Sequence, residues 1–194
     1  INNNEMWIKS EIDKNILSIL KHHIKSKREN KDILLKINNF MDINIFIEED
    51  YKIIKSDDES IWIGRGIPYR WIMLFNILNH EINNNTISNH KEFENSIWNE
   101  IEKKIILLTD GKVKISDYYK DIKNTTNHFT YSINGLYEHA DSKSGGPLIG
   151  YIYPSNKDTS LCLLGFVNYP GHEKMNLLYQ LSAIFNTIER GQNE

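Results

Sequence analysis

Between residues 134 and 190 short apolar runs alternate with glycine and proline, and the period of the pattern then changes; nothing else in the sequence restricts the fold as much. A run ending near His139 is followed by Gly145-Gly146-Pro147, an alternating run from Leu148 to Tyr153 and another from Ser160 to Tyr169. Pro170-Gly171 then introduces Leu177, Leu178, Leu181, Ile184, Phe185 and Ile188, which have the 3.6-residue spacing of an amphipathic helix. The expectation is a three-strand meander with a turn at 145–147, closed by a helix. Consecutive glycines admit the positive φ that such a turn needs, and Pro147 fixes the exit into the next strand.

The same periodicities organise the rest. Ile12, Ile16, Ile19, Leu20 and Ile24, then Ile33, Leu34 and Ile37, predict one long helix or two shorter ones, interrupted by the polar patch Lys25 to Lys31. Ile43, Ile45 and Ile47 alternate as a strand, Ser60 to Gly64 forms another after the Ser56-Asp57-Asp58 turn, and Tyr69 to Leu78 reads as a central strand covered on both faces. Asn89 caps a helix over residues 88–108, with Glu92 three residues on, and Asp110-Gly111 ends it. Residues 112–127 read as an irregular link with a short helical turn at Tyr118-Tyr119, and the asparagine runs at 2–4 and 83–85 read as loops. The fold class that follows is α+β: an antiparallel β-sheet covered by helices, with residues 1–40 as an N-terminal helical segment and 41–194 as a single compact α+β domain.

With 194 residues, 40% of them hydrophobic and 25% charged, the chain is long enough to bury a sizeable core. Its net charge of -3 comes from interspersed lysines and acids, which points away from nucleic acid and anionic membrane. No apolar run approaches the roughly 20 residues of a membrane-spanning helix, and no leader pattern opens the chain. The first residue is Ile1, which reads as a fragment or a processed product. Cys162 is the only cysteine, so neither an intrachain disulfide nor a cysteine zinc site forms, and between Leu161 and Leu163 it reads as core.

Candidate chemistry centres on two places. Ser144 in Ser144-Gly145-Gly146-Pro147-Leu148 resembles the nucleophile loop of chymotrypsin-like proteases, in which flanking glycines free backbone amides for an oxyanion hole. Against it, Ser142-Lys143 stands where Gly-Asp is expected, and helices occupy segments that a double barrel needs as strands. Glu138, His139, Asp141, His172 and Glu173 gather metal-ligating types, yet Glu138 and His139 would face opposite sides of a strand and no metal spacing appears. His22 and His23 point about 100° apart on a helix and share no metal. No cofactor is expected. Trp62 beside Arg65 reads as mainly structural, with a second reading as a partner anchor.

Gly135-Leu136-Tyr137, Gly145-Gly146-Pro147 with Tyr151, Gly165-Phe166-Val167 with Tyr169-Pro170-Gly171, and Gln180-Leu181 with Ala183-Ile184 together resemble the signature of a family of Bacteroidetes lipoproteins, a domain of unknown function (DUF 4837). Upstream, Asp58 to Arg65 is similar to that family's aspartate, tryptophan and arginine stretch. The likeness spans about residues 10 to 190 and identifies this chain as an N-terminally shortened member, without the family's secretion signal or lipid-bearing cysteine. It implies a place on the cell envelope, while the order of helices and strands looks loosely similar to the PsbP/Mog1 arrangement, an analogy of fold. The functional expectation is a non-enzymatic, envelope-associated protein acting by binding or assembly contacts with an unidentified protein or envelope partner; the alternative is a serine hydrolase using Ser144. The surface candidates for binding are Trp62, Arg65, Tyr137, Gly145, Gly146, Pro147 and Tyr169.

Overall fold

The computed structural model describes residues 3–79, 90–125, 128–142, 144–155 and 158–191. Contacts gather the chain into two compact units, one formed by Ile1–Tyr51 with Met175–Glu194 and the other by Lys52–Lys174. The C-terminal helix therefore groups with the N-terminal helices, whereas the sequence pattern placed it with the sheet.

The first unit contains helices α1 (Asn3–Lys25), α2 (Lys31–Met41) and α4 (Met175–Phe185), and the short strands β1 (Ile43–Asn44) and β9 (Glu189–Arg190). Two helices form because the polar patch breaks the first. Asn30 then caps α2, its Oδ1 accepting from the Ile33 amide at 3.2 Å while its Nδ2 donates to the Tyr51 carbonyl at 3.0 Å. Asp42 ends α2 in the left-handed region at φ 49°. The alternation at Ile43, Ile45 and Ile47 buries all three side chains, but only β1 forms a ladder, pairing antiparallel with β9. Tyr179 on α4 donates to Asp13 on α1 at 2.6 Å. Asn3 and Asn4 belong to the first turn of α1 and not to a loop.

The second unit is a seven-stranded antiparallel sheet in the order β2-β3-β4-β8-β7-β6-β5, with one described helix, α3 (His90–Thr109), on one face. Its strands are β2 (Lys52–Ser56), β3 (Ser60–Arg65), β4 (Tyr69–Leu78), β5 (Val113–Asn124), β6 (Tyr131–His139), β7 (Gly145–Pro154) and β8 (Thr159–Asn168). The apolar run of β4 is interior, paired over its whole length with β8 and along β3 on the other side. Ile97, Trp98, Ile101, Ile105 and Leu108 of α3 pack with Met73, Phe75, Leu148, Cys162 and Phe166 on one sheet face. The helix ends as expected, with Asp110 and Gly111 both at positive φ and the Gly111 amide donating back to the Ile106 carbonyl at 2.9 Å. Lys55 of β2 completes that terminus by donating to the Leu107 carbonyl at 2.8 Å and to Asp110 at 2.6 Å.

Three expectations need correction. Residues 113–124 form β5, a sheet edge, and not an irregular link with a helical turn; Tyr118 and Tyr119 lie in a bulge between Ile115 and Lys120 that blurs the alternation. Lys52–Ser56 is a further strand, β2, that the pattern did not announce. Gly145-Gly146-Pro147 is not a turn but the first three residues of β7, facing Glu138, Tyr137 and Leu136 in the β6 ladder. The cap expected at Asn89, the loop at 83–85 and Lys143 lie outside the described residues.

Candidate functional site

The glycines of the sheet explain where the aromatic residues go. A Cβ on Gly146 would lie 2.1 Å from the Val167 carbonyl oxygen and 3.3 Å from Cε1 of Tyr137, so the Tyr137 ring lies over a strand position that has no side chain. Gly64 does the same for Trp71, whose Cδ1 would be 2.7 Å from an added Cβ. Gly145 is excluded from bearing a side chain by the Tyr137 carbonyl, which an added Cβ would meet at 2.2 Å. Close approach of backbone and ring, and not positive φ, is what requires glycine at 145 and 146; positive φ among glycines occurs at Gly111 and Gly171.

Over these bare positions runs an aromatic row. Trp62 on β3 meets Trp71 on β4 with ring centroids 6.3 Å apart, Trp71 meets Tyr137 on β6 at 5.9 Å, and His139 lies 5.4 Å from Trp71 and 5.6 Å from Tyr137, all edge to face. Strands β7 and β8 separate β4 from β6, so Tyr137 and Trp71 lean toward each other across both. Asn168 approaches His139 Nε2 at 3.5 Å. The Tyr137 hydroxyl is buried without a hydrogen-bond partner, as are Trp62 Nε1 and Asn168 Oδ1, and burial pushes the Tyr137 phenol far above its ordinary pKa. The row therefore joins two of the sequence candidates, Trp62 and Tyr137, over a third, Gly146. It also includes Trp71 and Asn168, which sequence reasoning did not name for binding, and His139, which it weighed only as a metal-ligating type; the cross-strand register places Trp71 opposite Gly64 and Phe166.

The remaining candidates collect at the adjoining rim of the sheet. β3 ends there at Arg65, β4 begins at Tyr69, and β8 ends opposite Tyr69 at Asn168, followed by Tyr169. The 66–68 turn carries Ile67, 77% exposed, with Tyr69 at 46%, and Tyr169 stacks on His172 at 4.2 Å with their planes 16° apart. Pro147, near the start of β7, stands in the ladder opposite Leu136.

The hydrolase reading is tested where β6 ends and β7 begins. The His139 amide donates to the Ser144 carbonyl at 2.9 Å, so serine and histidine are cross-strand neighbours. The Ser144 hydroxyl nevertheless bonds Ser142 Oγ at 2.5 Å and not the His139 ring, whose Nε2 faces Asn168. Glu138 turns to the face opposite His139, as strand alternation expects. It accepts from Ser116 Oγ at 2.6 Å with Lys114 at 3.4 Å, and that hydroxyl, then the lysine, holds its carboxyl below the usual range. Burial pushes the Cys162 thiol up, which removes it as a nucleophile.

The model of a family described as a domain of unknown function, DUF4837, matches residues 28–187. Comparison with curated proteins gives no match. Among solved structures, a protein from Bacteroides thetaiotaomicron is similar with TM-score 0.38 and 6% identity over 78% of this chain and 46% of that one. This chain thus spans less than half the length of the Bacteroides protein. The solution structure of cyanobacterial PsbP (CyanoP) from Synechocystis is similar with TM-score 0.46 and 6% identity over 77% of this chain and 86% of that one.

Proposed function

The chain belongs to the DUF4837 family, a domain of unknown function, and from that premise we propose that it is a non-enzymatic binding or assembly protein of the cell envelope whose contact surface is the rim of the seven-stranded sheet. One observation carries this reading: strand ends fixed by the ladder present Ile67, Tyr69 and the Tyr169–His172 pair together at the surface. Exposed aromatic and aliphatic side chains on rigid backbone lose little freedom when covered, which is how protein interfaces acquire their anchoring residues. The unassembled state of Ser144 and His139 weighs against hydrolysis. The envelope placement and the kinship with Bacteroidetes lipoproteins are supported by the sequence resemblance alone. No helix among the described residues is long and apolar enough to cross a membrane.

A photo-crosslinking residue at position 67 or 169, compared with one at the 91% exposed Tyr118, tests the surface in intact cells of the native host. Partner adducts are expected from 67 and 169 and not from 118; equal yields from all three positions would remove the rim from consideration. Fractionation of the same cells should place the protein with the envelope, and recovery in the cytosol alone would end that part of the proposal. A fluorophosphonate probe addresses the hydrolase reading, since labelling of wild type but not of Ser144→Ala would establish a nucleophile where this reading has none.

A further inference from the structure

Helix α1 is apolar on two sides. One side carries Ile16, Leu20 and Ile24, which are wholly or partly buried, and lies on the same flank as Asp13, which holds Tyr179 of α4. The other consists of Glu5, Ile8, Ile12, Asn15, Ile19 and His22, and every one of these is exposed, the isoleucines at 49%, 52% and 69%. Their positions advance in alternating steps of three and four, the spacing of a coiled-coil seam and not of the broader stripe by which a helix joins a globular core.

We propose that this seam is a self-association surface and that its occupant is α1 of a second copy, running antiparallel. In that arrangement a two-fold axis pairs Ile8 with Ile19 of the second copy, Ile12 with Asn15 of the second copy, and Glu5 with His22 of the second copy, and each pair then occurs twice. The carboxylate at one end of the seam meets an imidazole at the other, and the helix dipoles oppose. A parallel pair would instead set Glu5 against Glu5, like charges in contact. A lipid surface fits less well: at about 100° per residue, Lys14, Lys21 and Lys25 project roughly 110° or more from the seam's centre, which leaves Lys9, about 90° from it, as the one lysine of the helix at its border. The seam is short for a free-standing coiled coil, but α1 is already formed within its unit, so pairing adds contacts without first having to order the helix. The few isoleucines involved place the dimer at the weak end of specific interfaces.

Sedimentation equilibrium of the full chain, up to about 0.5 mM, should show a reversible monomer–dimer equilibrium. The double variant Ile12→Asp with Ile19→Asp should weaken it by about 100-fold or more, with unchanged circular dichroism because both positions are exposed. Glu5→Lys should weaken the dimer and Glu5→Lys with His22→Glu should restore it. A wild type that stays monomeric throughout, an aspartate variant that dimerises like wild type, or a charge exchange that restores nothing would each overturn the proposal. None of these outcomes bears on the rim, which lies in the other unit.

Discussion

Replacing Gly146 by alanine tests whether the glycine pair serves close packing or a turn. The added Cβ would stand 2.1 Å from the Val167 carbonyl oxygen, against roughly 3.3 Å for a comfortable carbon–oxygen approach. β7 must therefore move by about 1 Å from β8, which loosens the ladder next to the Leu148–Phe166 pair and lifts Tyr137 from its seat. Overpacking of this kind costs about 1–3 kcal/mol, and a strand carbonyl deprived of its bond adds about 1–3 kcal/mol. A loss of roughly 2–6 kcal/mol is expected in urea denaturation followed by tryptophan fluorescence, since Trp62 and Trp71 report on this row. Two other glycines calibrate the result. Gly171 has φ 75° and open space around it, so alanine should cost only about 1–2 kcal/mol through backbone strain. Gly66 has neither restriction, and alanine there should be neutral or stabilise by up to about 1 kcal/mol. If Gly146→Ala costs no more than Gly171→Ala, the close-approach reasoning is wrong.

Tyr137→Phe removes a buried hydroxyl that has no partner, so stability should stay level or rise by up to about 1 kcal/mol, and a larger loss in the same melts would reveal a bond absent from this structure. Leu181 on α4 is fully buried, and Leu181→Ala should cost about 2–5 kcal/mol; a change within about 0.5 kcal/mol would show that this helix face is not a core face. The hydrogen bond from Lys55 holds the Asp110 carboxyl below its usual range, so the link stabilises the fold above the unfolded carboxylate value of about 3.9 and is lost as pH falls through the lowered folded value. Lys55→Met should return the Asp110 NMR titration to the ordinary range and make the two proteins converge in acid; an unmoved midpoint would contradict the pairing. Cys162 should be silent to a thiol reagent in the native state and react once the chain is unfolded, whereas prompt native labelling would mean that β8 opens readily.

The legible parts of the fold were those with strong, uninterrupted periods. Tyr69–Leu78 appears as β4 with the expected bounds, the Leu148 and Ser160 runs appear as β7 and β8, and the helix over 90–109 ends at Asp110-Gly111 as written in its residues. β5 was missed because its bulge puts four residues opposite Leu136 and breaks the alternation that betrays a strand. β2 was missed because its isoleucines at 53 and 54 are adjacent, so no alternation exists to be seen. The candidate site was half legible: Trp62, Tyr137 and Gly146 could be named, but their reason for meeting could not.

What the sequence determined by itself was therefore local: which segments are helical or extended, where they stop, and that one interior strand is covered on both faces. These follow from side-chain period and capping, which act within a few residues. Only the tertiary structure decided that Gly145 and Gly146 lie inside a ladder, because the same dispensability of a side chain serves a turn or a close strand contact, and nothing in the local chain distinguishes the two. It also decided which face of α1 stays exposed, since Ile12 and Ile19 are as apolar as Ile16 and Leu20 and differ only in whether another element covers them. The aromatic row belongs to the same class of fact: Trp71 and Tyr137 are 66 positions apart in the chain, and the register of four strands brings their rings to 5.9 Å.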